Sequence, residues 1–311
     1  MLSYSNIVKK AFHITTHYPL LWFFGLFVAG GFNLNFLRFQ NIPANKIRSG
    51  LKVHEAFVFL AGHPGTLAVL SASILILALF SLFITNWSRI MLVLLSDSII
   101  KTRALELPKE WKKSQGFLWP VIRMSVLTAA LMVFSAAALF VPAYFLVSDP
   151  SIQALLLTGA VVIFLPLAFT ISCINIFTSF YIVLFKQSLG AALNLGTDFF
   201  VSRWSQILGL TAVLMVIYFV SFIVGVSLIT LTQELLRVLF EFFLRFNISA
   251  VSATIIALRF AATVVFWLIL AGLNVFINTA LLLFFLELNT PVKSEEGLEA
   301  AKEVLAPVPT V

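Results

Sequence analysis

IQALLLTGAVVIFLPLAFTISCINIFTSFYIVLF, residues 152–185, runs for 34 residues without a charged side chain. A helix crosses roughly 30 Å of hydrocarbon with about 20 mostly apolar residues. At about 1.5 Å per residue this stretch reaches roughly 51 Å. The excess is expected to protrude beyond the lipid, with a kink at Pro166 as the second possibility, since proline lacks a backbone donor. Oil offers a backbone no hydrogen-bonding partner, so only helices and closed barrels span it. The stretch is far too long for a strand, and no alternating apolar pattern recurs at barrel spacing. Helix is the reading.

Five further stretches behave in the same way: Leu20 to Phe36, Thr66 to Thr85, Val121 to Val147, Ile207 to Thr232 and Phe260 to Leu286. The first is the weakest, thinned by Asn33 and Asn35. The expected fold is an all-α polytopic transmembrane bundle of about six spans over residues 1–289, followed by a polar cytoplasmic tail, 290–311, disordered at its Pro-containing end. Composition agrees. Of the 311 residues, 61% are hydrophobic and 11% charged, against about 25% charged in soluble domains. The net charge of +7 fits basic loops facing anionic lipid. No Lys/Arg run is dense enough to follow a phosphate backbone, so nucleic acid is excluded as a partner. Cys173 is the single cysteine, so an internal disulfide is excluded. Lys9 and Lys10 before an apolar core loosely imitate a signal peptide, a minor alternative given the long polar segment in front.

Orientation follows from the basic residues. With the N-terminus inside, 13 of the 20 Lys and Arg fall on the inner side and seven on the outer. That predicts a cytoplasmic membrane location with both termini cytoplasmic. EWKKSQGFLWPVIR, residues 110–123, then becomes an inner-face elbow. Lys112 and Lys113 sit beside headgroups, Trp111 and Trp119 lie in the interfacial layer, Pro120 starts the span, and Arg123 snorkels to the surface. Arg203 and Trp204 anchor a second elbow in the same manner.

The elbow has relatives. Trp22, Trp119 and Trp204 follow one another at intervals of 97 and 85 residues, and the exits FITNW, FTSFY and FINTA at intervals of 94 and 99. These predict three helical-hairpin units, about 5–100, 101–186 and 187–288, each entered through an interfacial amphipathic helix. In QELLRVLFEFFLRFN, Glu234, Arg237, Glu241 and Arg245 share one face, as expected of a helix lying in the outer interface. Asp97 precedes Lys101 by four, a weak exposed pair.

Chemistry is sparse. His13 and His17 are spaced for one helix face, but His54 and His63 fall on the other side of the membrane, so four ligands cannot meet. His54-Glu55 lacks the histidine three residues later that a zinc-protease motif needs. No serine elbow or phosphate loop occurs. No metal or cofactor is expected. Working inward from each span end, no Asp, Glu, Lys or His falls near a centre, and Arg89 lies just beyond an inner edge. Asn175, Asn274 and Asn278 are the candidate polar path, with interhelical hydrogen bonding as the ordinary explanation.

The approach-and-span segments KKAFHITTHYPLLWFFG, EWKKSQGFLWPVIR and DFFVSRWSQILG resemble those of prokaryotic six-span membrane proteins akin to the membrane domain found beside glycerophosphoryl diester phosphodiesterases. The resemblance covers about residues 5–288 and implies a six-span helical fold. The soluble phosphodiesterase part is absent, so no activity and no catalytic residue transfers. The expected role is structural, lipid-associated or accessory, with membrane lipids and possible membrane-protein neighbours as partners. A carrier or channel using a cavity between repeats is the alternative, and an intramembrane lipid-modifying enzyme the remote one.

Overall fold

The computed structural model describes residues 3–28, 64–145, 149–244 and 250–289. These form seven helices: α1 (Tyr4–His17), α2 (Leu20–Val28), α3 (Pro64–Thr102), α4 (Leu107–Phe145), α5 (Pro150–Phe185), α6 (Leu189–Leu244) and α7 (Ala250–Asn289). The all-α expectation holds, and no strand occurs among the described residues. Five helices are long and apolar enough to cross a membrane: Gly65–Thr102, Leu107–Phe145, Pro150–Phe185, Leu189–Thr232 and Ala261–Asn289. Six spans were expected. Of the first, nine residues form α2, and the remainder of 20–36 lies outside the described residues. So do the loop carrying His54 and His63, the 290–311 tail, and the side chains of Arg237, Glu241 and Arg245.

The helices close into a ring. α2 packs on α3, and the sequence continues α3 to α4, α4 to α5, α5 to α6, α6 to α7 and α7 back to α2. α1 lies against α7, while α3 reaches α5 and α7 across the interior. The ring is tight along only part of its length. On α3, residues 65–81 are exposed on every face, whereas 90–97 are buried on every face. α5 repeats this, with 177–183 buried without interruption and Val162, Ile163 and Leu165 exposed. The core is therefore built from one half of each long helix. Phe177, Phe180, Phe199 and Phe285 form its aromatic centre, with ring centroids of consecutive pairs 4.8–6.2 Å apart.

Helix ends depart from expectation in one direction. α3 continues 17 residues beyond Thr85, and α4 begins at Leu107 instead of Val121. Charged residues stop a hydropathy window, but they do not stop a helix whose own backbone bonds are satisfied and whose apolar face is packed. The elbow at Pro120 is thereby corrected. Pro120 lies inside α4, and the proline of the first turn, where a missing N–H is harmless, is Pro108. α5 is likewise one helix across Pro166. In the third approach segment the chain bends at Arg203, whose φ of −124° and ψ of 16° are not helical.

Local chemistry explains the turns. Asp149 caps α5, its Oδ1 accepting from the Ser151 and Ile152 amides at 2.8 and 3.4 Å, with Pro150 following. α1 ends at Tyr18, and Trp22 Nε1 donates to the Thr15 carbonyl at 2.9 Å, pinning α2 beneath it. Two glycines set helix separations. A Cβ on Gly25 would stand 2.3 Å from the Ala271 carbonyl oxygen of α7, and one on Gly196 2.4 Å from Thr178 Oγ1 of α5. Gly25→Val and Gly196→Val are each expected to destabilise the fold by about 1–3 kcal/mol through overpacking. Gly116→Ala, which meets nothing within 4 Å, should leave thermal unfolding in detergent unchanged or slightly raised.

Candidate functional site

The turns α3–α4 and α5–α6, the α1–α2 junction and the end of α7 share one end of the bundle. Tyr18 Oη donates to the Arg103 carbonyl at 3.3 Å, and Asn289 Nδ2 donates to Tyr181 Oη at 3.0 Å. The sequence-predicted anchors gather toward this end. Trp111 is 47% exposed, its ring edge-on to Trp87 at 4.4 Å, and Trp87 Nε1 donates to Ser114 Oγ at 3.2 Å. Lys112 is exposed. Lys113 reaches the buried Glu110 at 3.3 Å. The Arg123 guanidinium lies 5.1 Å above the Trp119 ring, a cation–π arrangement on an exposed tryptophan. Arg203 and Trp204 are both exposed, at the bend of α6.

Two cations counted from the sequence on the inner side carry a backbone geometry that sequence reasoning missed. Arg103 and Lys186 end α3 and α5 with φ of 55° and 54°. The left-handed region at a helix C-terminus is where glycine is ordinarily favoured, because a Cβ crowds the following carbonyl. Each of these two turns places a cation there instead. The signal was available only as Lys or Arg just past the last apolar residue, which is also what an ordinary helix end looks like.

Two of the three candidate amides bond to carbonyls of their own helix. Asn274 Nδ2 donates to the Leu270 carbonyl and Asn278 Nδ2 to the Asn274 carbonyl, both at 2.8 Å along α7 itself. Asn175 on α5 is buried, and no donor reaches its Oδ1. Ser125 donates to Asn86 Oδ1, and Ser96 Oγ meets Thr279 Oγ1 at 3.4 Å. Arg89, expected beyond a span, lies within α3 and is half-buried. Asp97 does pair with Lys101, at 2.8 Å, but its side chain is only 10% exposed. His13 and His17 are exposed with ring centroids 3.8 Å apart. Among the described residues no group of three His, Cys, Asp or Glu could hold a metal.

A groove of about 260 Å³ opens between α5, α6 and α7. Phe169, Ser172, Phe177, Thr211, Met215 and Tyr218 line much of it, and none of the three amides does. Its residues are scattered over three helices. The only sequence signal is the seven-residue spacing of Thr211 and Tyr218, which puts them on one face. No family model matches the chain, and neither a curated protein nor a solved structure does. What the described side chains offer is cationic and aromatic contact at one end and an apolar recess along one side.

A buried oxygen without a donor costs about 1–3 kcal/mol. Asn175→Leu should therefore raise the unfolding temperature, while Asn274→Leu, which removes an amide already bonded to its own helix, should change it much less. Thermal unfolding in one detergent compares them directly.

Proposed function

We propose that this chain is a non-catalytic, lipid-associated protein of the cytoplasmic membrane, structural or accessory in role, with both termini on the cytoplasmic side. The observation that carries the reading is the pair of cations held in left-handed turns at one end of the bundle. A lysine and an arginine there forgo the stability of glycine, which is reasonable where the charge itself is wanted. Each Lys or Arg near an anionic leaflet contributes about 1 kcal/mol of attraction, so Lys112, Lys113, Arg123 and Arg203 add to the same effect. α1 completes the surface as an interfacial amphipathic helix. It turns Ile7, Ala11 and Ile14 inward and leaves Lys9, His13 and His17 facing outward.

The three-unit reading is kept as part of the proposal: three approach segments, each leading into a pair of spans. The carrier or channel reading draws no support from Asn274 and Asn278, whose N–H groups bond within their own helix.

Lys186→Gly separates charge from fold. Relieving the left-handed lysine should stabilise the protein by up to about 1 kcal/mol. Together with Lys112→Gln and Lys113→Gln, it should reduce the phosphatidylglycerol that survives purification, counted by native mass spectrometry. Stabilisation with phosphatidylglycerol retention unchanged would contradict the anchoring role.

A further inference from the structure

We propose that Arg89 holds the phosphate of one anionic phospholipid inside the ring, with the acyl chains lying along the ring-facing side of α3. The inference deepens the lipid-associated reading and rests on it. Arg89 falls within a helix long and apolar enough to cross a membrane, where an ionisable group is costly and ordinarily has a partner or a function. Among the described residues it has no ion pair and no hydrogen bond. The one acid of α3, Asp97, is eight residues away, roughly 12 Å along the axis, and is engaged by Lys101 at 2.8 Å. A guanidinium left in this way needs an anion from outside the chain.

The neighbours of Arg89 on α3 give its direction. Thr85 donates to the Phe27 carbonyl of α2 at 3.2 Å, Asn86 accepts from Ser125 of α4, and Ser96 meets Thr279 of α7 at 3.4 Å. At 3.6 residues per turn, Arg89 stands about 60° from Asn86, about 40° from Thr85 and about 20° from Ser96, so it projects between these helices into the ring. On the same face toward the inner end, Val93 and Ser96 are each 2% exposed. The packed core thus closes the route by which a long cation would snorkel to that surface. Toward the other end the face is open. Leu82 is half-buried, and Ala78, Leu75 and Ser71 are exposed, Leu75 at 60%.

A single cation at the foot of a bare apolar strip has the polarity of a phospholipid in the leaflet at the packed end, headgroup at Arg89 and chains toward the midplane. The level agrees. Trp87, two residues away, meets Trp111 edge-on at 4.4 Å, and Trp111 is a proposed interfacial anchor. Guanidinium takes phosphate through two parallel N–H donors, and the pairing strengthens away from bulk water. A neutral lipid would leave Arg89 without a counter-charge, and a small soluble anion would leave the strip uncovered.

The full chain is placed in phosphatidylcholine nanodiscs with a trace of phosphatidylglycerol bearing a diazirine near the end of one acyl chain, and adducts are mapped by peptide mass spectrometry. Ser71, Leu75 and Ala78, on the Arg89 face, should be labelled several-fold more than Val69, Ile76 and Phe80, on the opposite face. Arg89→Gln should bring the two faces level. It should also weaken, about tenfold, the hold on the last phosphatidylglycerol to survive delipidation, counted by native mass spectrometry. Equal labelling of both faces in the wild-type chain, or an excess that persists in Arg89→Gln, would overturn the proposal. Glycerol phosphate, a headgroup without chains, should leave the labelling unchanged; displacement by it would assign Arg89 to a soluble anion and overturn the lipid. Because Arg89 has no bond within the protein, delipidated Arg89→Gln should unfold at the wild-type temperature or above it. A lower temperature would assign Arg89 to the fold and also overturn the proposal. The anchoring reading fails separately: the Lys112, Lys113 and Lys186 variant would then retain all its phosphatidylglycerol, while Arg89→Gln alone still removed the labelling excess.

Discussion

A bilayer supplies about 30 Å of oil, and the helices that cross it here are longer than it requires. α3 and α4 each have 39 residues and α7 has 40, or nearly 60 Å at about 1.5 Å per residue. Their backbones are satisfied internally wherever they run, so lipid places no limit on their length. It limits only what covers their sides. One half of each can be wrapped in acyl chains and needs no neighbour, since lipid is as apolar as leucine. The other half must bury its apolar faces in protein. That division produces α3 as found, bare on all faces over 65–81 and enclosed over 90–97.

The same division locates the chemistry. Asn86, Ser96, Asp97 and Glu110 are all buried, and all lie in the packed half, where other helices rather than oil surround them. Gly25 and Gly196 bring backbones together in that half as well. The lipid-wrapped half carries the large exposed apolar side chains, Leu75, Ile76, Phe134 and Leu155 among them. In water such a surface would drive aggregation. In a membrane it is the expected outer coat.

Helix and membrane were legible from Ile152 to Phe185 alone, because an uncharged run of that length has no other reading. Helix ends were not. A window that stops at Thr85 or starts at Val121 measures side-chain transfer into oil, whereas the helix ends where its backbone loses partners, at Thr102 and Leu107. Pro120 misled for a related reason, since proline is tolerated inside a membrane helix when neighbours accommodate the freed carbonyl. The exposed aromatic and basic residues Trp111, Trp119, Arg123 and Trp204, proposed as anchors, were visible by residue type. The left-handed Arg103 and Lys186 were not, because backbone dihedrals leave no mark when the residue is other than glycine. The groove was invisible too, as three helices at unknown rotations decide which side chains line it.

Spin-label accessibility along α3 tests the central division most directly. In a Cys173→Ser background, single cysteines at 67–80 and at 90–97 would be scanned in liposomes for collision with oxygen. The account predicts uniformly high accessibility over 67–80 and uniformly low accessibility over 90–97, with no helical period in either. A period of 3.6 residues within 67–80 would show a protein neighbour on one face and contradict it.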